Sequence, residues 1–401
     1  MDRFIPKTIK DLFRPRRVYL DYASLTPVDK RVIKVVADTT KRYQSNPSSL
    51  YAEGVAAQKF LLKNREDIAK QFEVNPDEII FTSGGTEANN LAIKGIVNGA
   101  IKNGVSRPHI VSLAIEHPSI KELLSFLENE GTCSVTYVPV DSDGIVDMKE
   151  LKAALKPETV LVSIMYANNE VGVIQPIHDI GKVIRGFKKE QKSEYPLFHT
   201  DASQAVAYCN MRVPALGIDL MTIDGGKVYG PRGIGALYIR RTIQKNVSPE
   251  LHGGNQENGF RPGTENLPAI AGLAEALKIC AEEKEREVER LTEMRNSLIE
   301  EIKKIVPNVA LNGSRTKRLP NNINICIPGK DAEFEVLRFD AKGICISSVT
   351  SCRLKSEDSS SYVIEEMGKK DCAASSLRIT LGRFTTKGDL KFFLETLKQL
   401  S

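Results

Sequence analysis

The chain has 401 residues, 41% hydrophobic and 27% charged, with 56 basic side chains against 51 acidic ones and a net charge of +5. This is the composition of a globular protein long enough for two domains. The interleaving of bases with acids gives no nucleic-acid stripe, and no apolar run approaches the roughly 18 residues of a membrane span.

Met1 to Arg17 is basic but lacks the apolar core of a secretory signal. From Glu78 onward, strand-like and helix-like segments alternate. Glu78 to Thr82 is a short strand and Glu87 to Asn98 has helical spacing. The alternation continues through His109 to Ala114, Ser119 to Asn129, Cys133 to Val138, Met148 to Leu155 and Thr159 to Met165. Ile177 to Phe187, Leu197 to Thr200, Leu220 to Ile223 and Ile234 to Arg240 follow. Such a pattern predicts an α/β fold with a mostly parallel sheet covered on both faces, and ligands at the carboxyl ends of its strands.

Pro268 to Val306 reads as one long helix, apolar first and then highly charged, with Glu282 to Arg290 as a solvated face. Beyond it lies a smaller α+β unit: Asn322 to Ile327, Glu333 to Phe339, Ile344 to Ser347, Tyr362 to Met367, Leu377 to Leu381 and Lys387 to Leu400. The expected division is 18–265 for a large domain and 266–401 for a small one, with residues 1–17 packing on the latter. The seven cysteines have neither CxxC nor metal spacing and read as reduced thiols in a cytoplasm, with Cys280 and Cys326 as core packing.

Five strand-end stretches carry chemistry. In Thr82 to Asn90, Gly85 lets the backbone approach an anion, and helix amides with the Thr86 hydroxyl can hold a phosphate; a turn with an N-cap is the plain alternative. His117, after Glu116, can stack on an aromatic ligand or move protons, or serve only as a packing histidine. Asn168 to Gly172 can equally be a polar turn. Asp201 ends a buried strand, where a carboxylate calls for a cation such as a protonated pyridine nitrogen, or else for helix amides. Lys227, in Asp224-Gly225-Gly226-Lys227, sits on a glycine turn between two strands, where partial desolvation makes a lysine nucleophilic toward carbonyls.

Taken in order, these stretches resemble the cysteine desulfurases, fold type I pyridoxal-phosphate enzymes of the class V aminotransferase superfamily. Leu20 to Ala23, His252 to Asn266, Ser347 to Cys352 and Ser376 to Thr386 complete the set, which spans nearly the whole chain. The resemblance implies a seven-stranded, mostly parallel sheet and the cofactor pyridoxal 5'-phosphate. It implies Lys227 as the Schiff-base lysine, Asp201 at the pyridinium nitrogen, and His117 stacked on the ring and moving protons. Asn169 and Gln204 would contact the phenolic oxygen, with Asn169 also near substrate, and Thr86 with Gly85 the phosphate. Thr264 would reach the phosphate of a partner subunit, implying a homodimer, and Arg378 would bind the carboxylate of L-cysteine.

Cys352 separates a desulfurase from an aminotransferase. It sits in a polar stretch with Arg353 and Lys355, bases that favour the thiolate. The resemblance makes it the residue that takes sulfur as a persulfide and passes it to an acceptor protein, a scaffold for iron–sulfur assembly or a tRNA-thiolation enzyme. A selenocysteine lyase, another class V aminotransferase, or a non-catalytic sulfur-transfer scaffold are the alternatives.

The chain departs from the family in the Cys352 stretch, with Val349 and Ser351 where the family favours glycine and alanine, and beside Lys227. Where the family has Ser-x-His-Lys, with serine and histidine on the cofactor phosphate, this chain has Asp224 and Gly226. Three outcomes are open: Asp224 points away or pairs with a base such as Arg232; Thr86, helix amides and Thr264 hold the phosphate alone; or affinity for the cofactor is weakened.

Overall fold

The computed structural model describes residues 16–348 and 360–401. In chain order the elements are β1 (Val18–Tyr19), α1 (Lys30–Arg42), α2 (Ala52–Phe72), β2 (Ile79–Thr82), α3 (Gly85–Lys102), β3 (His109–Leu113), α4 (Pro118–Asn129) and β4 (Ser134–Val138). Next come α5 (Met148–Ala154), β5 (Thr159–Ser163), α6 (Ile177–Gln191), β6 (Leu197–Asp201), α7 (Val213–Leu216), β7 (Leu220–Asp224) and β8 (Gly235–Ile239). The remainder is α8 (Leu267–Ile305), β9 (Ala310–Leu311), β10 (Asn322–Cys326), α9 (Ala332–Ala341), β11 (Ile344–Cys345), β12 (Ser347–Ser348), α10 (Tyr362–Glu366), α11 (Lys370–Ala373), β13 (Ser376–Thr380) and α12 (Lys387–Leu400).

Seven strands form the main sheet in the order β2-β8-β7-β6-β5-β3-β4. The neighbours from β7 through β4 pair in parallel, and β8 runs antiparallel to both β2 and β7. The sheet is apolar on both faces because alternate residues enter different cores. Phe81, Val111, Val162, Phe198 and Ile223 pack on one side, whereas Ile80, Ile110, Leu161, Leu197 and Leu220 pack on the other. The fold is therefore the α/β type expected, with period-two burial on each side of a covered sheet.

The 39-residue α8, about 58 Å long at 1.5 Å per residue, crosses between cores. Its first half, from Leu267 to Cys280, packs beneath the sheet, and Leu291, Leu298 and Ile302 join a separate core with Ile323, Ile325, Phe339, Ile379 and Phe393. A four-stranded sheet, β12-β13-β10-β9, covers that second core. The N-terminal β1 pairs with β11, and Asp21 bridges to Thr380, so the first described residues lie on the C-terminal unit.

Three features differ from the sequence expectations. Helices α1 and α2 precede Glu78 and pack along α8; their interleaved charges obscure the apolar stripe. The Glu282 to Arg290 face of α8 is partly covered: Glu287 is buried, Glu283 pairs with Arg31 and Arg383, and Arg290 donates to the Gly382 and Thr385 carbonyls. Cys326 is not a lone core thiol but is disulfide-bonded to Cys372, because the end of β10 meets α11 across 46 residues of sequence. Cys133, Cys209, Cys280 and Cys345 are free.

Candidate active site

The carboxyl ends of β2, β3, β5, β6 and β7 open onto one cavity of about 350 Å³. Gly85, Thr86, His117, Asn169, Asp201, Gln204, Lys227 and Arg378 all line it. Ala23, Ser24 and Tyr362 close it from the side of the C-terminal unit. Thr264 is exposed and does not line it. Cys352 lies outside the described residues, as do Arg353 and Lys355; Ser360 and Ser361, where the described chain resumes, line the cavity.

Asp201 ends β6 nearly buried, at 8% exposure. Its Oδ1 accepts the Ser203 N–H at 2.9 Å and its Oδ2 accepts from Asn89 Nδ2 at 2.8 Å, and no cation pairs with it among the described residues. Two neutral donors leave a buried carboxylate able to stabilise a cation brought by a ligand. Asn89 also donates to Ser119 Oγ at 2.9 Å, and Ser119 holds His117. The Ser119 N–H donates to His117 Nδ1 at 3.1 Å, which assigns the ring proton to Nε2. Burial lowers the His117 pKa, with the Asp201 charge opposing, so the imidazole favours its neutral form. His117 is at once the N-cap of α4, the plain reading, and a wall of the cavity.

Glu116, behind His117, is fully buried. Its Oε1 accepts the Met165 N–H at 2.7 Å and its Oε2 has no partner among the described residues. Burial and the nearby Asp201 charge push its carboxyl well above the usual range, favouring the neutral acid. The turn after β5 is built by Asn168, whose Oδ1 accepts the N–H groups of Glu170 at 2.8 Å and Val171 at 2.9 Å. That turn aims Asn169 at the cavity and sets its carbonyl on Arg378 Nη1 at 3.2 Å. Arg378 also donates through Nη2 to Asp21 Oδ1 at 2.9 Å and Ser24 Oγ at 2.6 Å, while its buried Nε has no partner among the described residues.

Lys227 follows β7 on a short 3-10 turn and donates through Nζ to the Ser24 carbonyl and to the Ala23 carbonyl at 3.1 Å. Gln204 Nε2 donates to the same Ala23 carbonyl at 2.9 Å. Asp224 does not pair with Arg232, which is exposed. Its Oδ2 accepts the Gly85 N–H at 3.0 Å and its Oδ1 the Gly226 N–H at 2.7 Å. A carboxylate thus lies on the first amide of α3, the amide expected to serve a phosphate.

Most of the set therefore fits pyridoxal phosphate. Asp201 suits the ring nitrogen, His117 the ring and Lys227 the carbonyl, with Asp224 the exception at the phosphate end. Sequence reasoning missed Asn89 and Ser119, which tie Asp201 to His117, and Ser24, which touches both Lys227 and Arg378. Asn89 stands inside the quoted Thr82 to Asn90 stretch, so its proximity to the phosphate turn was the available signal.

The family model described as Aminotransferase class-V matches residues 18–393. The chain is 42% identical over 386 residues to a protein of Dictyoglomus turgidum named cysteine desulfurase IscS, covering 96% of this chain and 94% of that one. It is 40% identical over 383 residues to the Neisseria meningitidis protein of the same name, covering 95% and 91%. Among solved structures, a NifS-like protein superposes with a TM-score of 0.87 at 31% identity, covering 96% of this chain and 99% of the other. A NifS-like protein of Rickettsia africae gives 0.83, also at 31%, with the same coverage.

Proposed function

The chain belongs to the class-V aminotransferase family and is a pyridoxal-phosphate-dependent cysteine desulfurase; on that premise we propose which of its residues carry the reaction. The observation that supports the assignment is the convergence of Lys227, Asp201, His117 and Arg378 on one cavity.

When bound, pyridoxal phosphate supplies a carbonyl for amines and a ring that withdraws electrons from the substrate α-carbon. Asp201 holds the ring nitrogen as its counter-ion, with Asn89 and the Ser203 amide fixing the carboxylate. Asn169 and Gln204 orient the phenolic edge. Arg378, which lines the cavity, receives the carboxylate of L-cysteine through its guanidinium. With the cofactor bound, the Lys227 amine, held at the cavity by two carbonyls, would be placed to take the substrate's α-proton. His117, neutral and carrying its proton on Nε2, would move protons from its own wall of the cavity.

Cys352 does the sulfur chemistry. Its thiolate attacks the substrate sulfur, a sulfur–sulfur bond forms, and the carbon–sulfur bond breaks with its electron pair going to carbon. Protonation there, with a proton returned to the α-carbon, gives L-alanine, and the second sulfur remains on Cys352 as a persulfide for an acceptor protein of iron–sulfur assembly or tRNA thiolation. Cys352 lies in the chain shortly before Ser360, which lines the cavity, and this supports its access to the substrate. The active form is a homodimer in which Thr264 reaches across to the partner's cofactor phosphate. Residues 18–265 and 266–401 are taken as its two domains in sequence, with β1 exchanged onto the C-terminal unit and the first half of α8 onto the main sheet. The need for a reduced Cys352 favours the cytoplasm, with the Cys326–Cys372 disulfide the exception to a reduced set of cysteines.

Alanine release from L-cysteine tests the reading. Cys352→Ala should lose alanine formation while keeping the visible absorption of the bound cofactor. Alanine formation undiminished in that variant would overturn the thiol assignment. A keto acid in place of alanine would favour an aminotransferase.

A further inference from the structure

The Asp224 carboxylate spans the entrance to the phosphate cradle. One oxygen takes the first amide of α3, from Gly85 at 3.0 Å, and the other takes the amide of Gly226 at 2.7 Å. The surroundings are built around this side chain. A Cβ placed on Gly85 would stand 3.1 Å from Asp224 Oδ2, and one on Gly226 would stand 3.1 Å from Oδ1 and 2.9 Å from Leu25 Cδ1. Asp224 and Gly226 therefore form a matched pair: the carboxylate fills the space that a side chain at 226 would use. Among the described residues Asp224 bonds these two amides and forms no ion pair. Arg232 is exposed and makes no ion pair with it, and Arg261 is engaged with Glu87 at 2.9 Å.

We propose that Asp224 is a resident anion in the cofactor's phosphate cradle, and that it sets the cofactor's affinity by opposing the phosphate rather than holding it. The inference rests on the pyridoxal-phosphate reading above. A helix N-terminus favours an anion through its free amides and dipole. Here the first of those amides is already taken by a fixed negative charge, and a second anion at short range is repelled. Much of the binding must then come from the ring end, through Lys227 and Asp201, and the phosphate adds less than an unopposed cradle would allow. Asp224 is thus an affinity-determining residue for the cofactor, separate from the groups that perform the reaction.

The test uses the full-length protein stripped of cofactor and titrated with pyridoxal phosphate and, separately, with pyridoxal, which lacks the phosphate. Binding is read from the visible absorption of the bound carbonyl compound and from equilibrium dialysis. Wild type is compared with Asp224→Asn and Asp224→Ser, so that one well-folded variant suffices. The expected result is pyridoxal phosphate binding at least about tenfold tighter in a variant than in wild type, some 1.4 kcal/mol, with pyridoxal changed by less than about twofold. Unchanged or weaker pyridoxal phosphate binding in the folded variants would overturn the proposal. So would equal tightening of both compounds, which would place the effect at the ring. Failure of every form to bind either compound would overturn the cofactor assignment itself, and this inference with it.

Discussion

Arg378→Lys tests substrate recognition in isolation. Arg378 is 4% exposed, and its two terminal nitrogens are committed to Asn169, Asp21 and Ser24. Its Nε is buried, with no partner among the described residues, and its guanidinium lines the cavity. Lysine keeps the charge and can still reach one of the fixed partners, but it lacks the planar fork. The substrate carboxylate then loses at least one charge-assisted bond, about 1.5–3 kcal/mol. At about 1.4 kcal/mol per tenfold, kcat/KM for L-cysteine should fall roughly 10- to 150-fold. The loss should appear mainly in KM, because the bond exists before and during the reaction alike. Steady-state alanine release gives both constants, and a thermal melt with the cofactor titration checks that fold and cofactor affinity are kept. A kcat/KM within about twofold of wild type, in a variant that melts normally, would refute the assignment of Arg378 to the substrate carboxylate.

Other residues give sharp expectations. His117→Gln should lower kcat by about 10²- to 10⁴-fold with cofactor still bound, as expected for loss of a proton-transfer group; single-turnover measurement of alanine formation decides it. His199, fully buried between Ser163 and Thr222, has its pKa lowered by burial to about 4. Its folded pKa lies below its unfolded value near 6.5, so the unfolded chain binds more protons in that window and stability is lost as pH falls from about 6.5 toward 4. His199→Asn should therefore melt with a shallower dependence on pH over that range, and an unchanged slope would count against the assignment. Thr264→Val should weaken pyridoxal phosphate binding about tenfold or more by removing a bond to an ionised group, without changing pyridoxal binding; equal effects on both would place Thr264 away from the phosphate.

Much of the sheet was legible because strands buried on both faces are continuous apolar runs, as in Ile79–Thr82 and Thr159–Ser163. The N-terminal helices were not, because α2 spreads its eight buried residues among charges and includes Asn64 and Arg65. The segment Ile344 to Ser347 read as one strand; it is two, β11 with β1 and β12 with β13, since pairing partners far apart in sequence leave no local trace. At the site, residues at strand ends could be picked out by type and position. Asn89, Ser119 and Ser24 could not, because their roles come from contacts between elements separated widely in sequence. Asp224 was visible as an anomaly, and only its two hydrogen bonds located the charge on the α3 amide.

The central claim is that sulfur leaves cysteine for Cys352. The most direct measurement is mass spectrometry of the Cys352 peptide after the cofactor-loaded enzyme is mixed with L-cysteine and alkylated without reductant. The account predicts a mass increase of one sulfur atom on Cys352, appearing in step with alanine and absent in Lys227→Ala. Alanine formed in full with Cys352 unmodified, or the added sulfur found only on another cysteine, would contradict it.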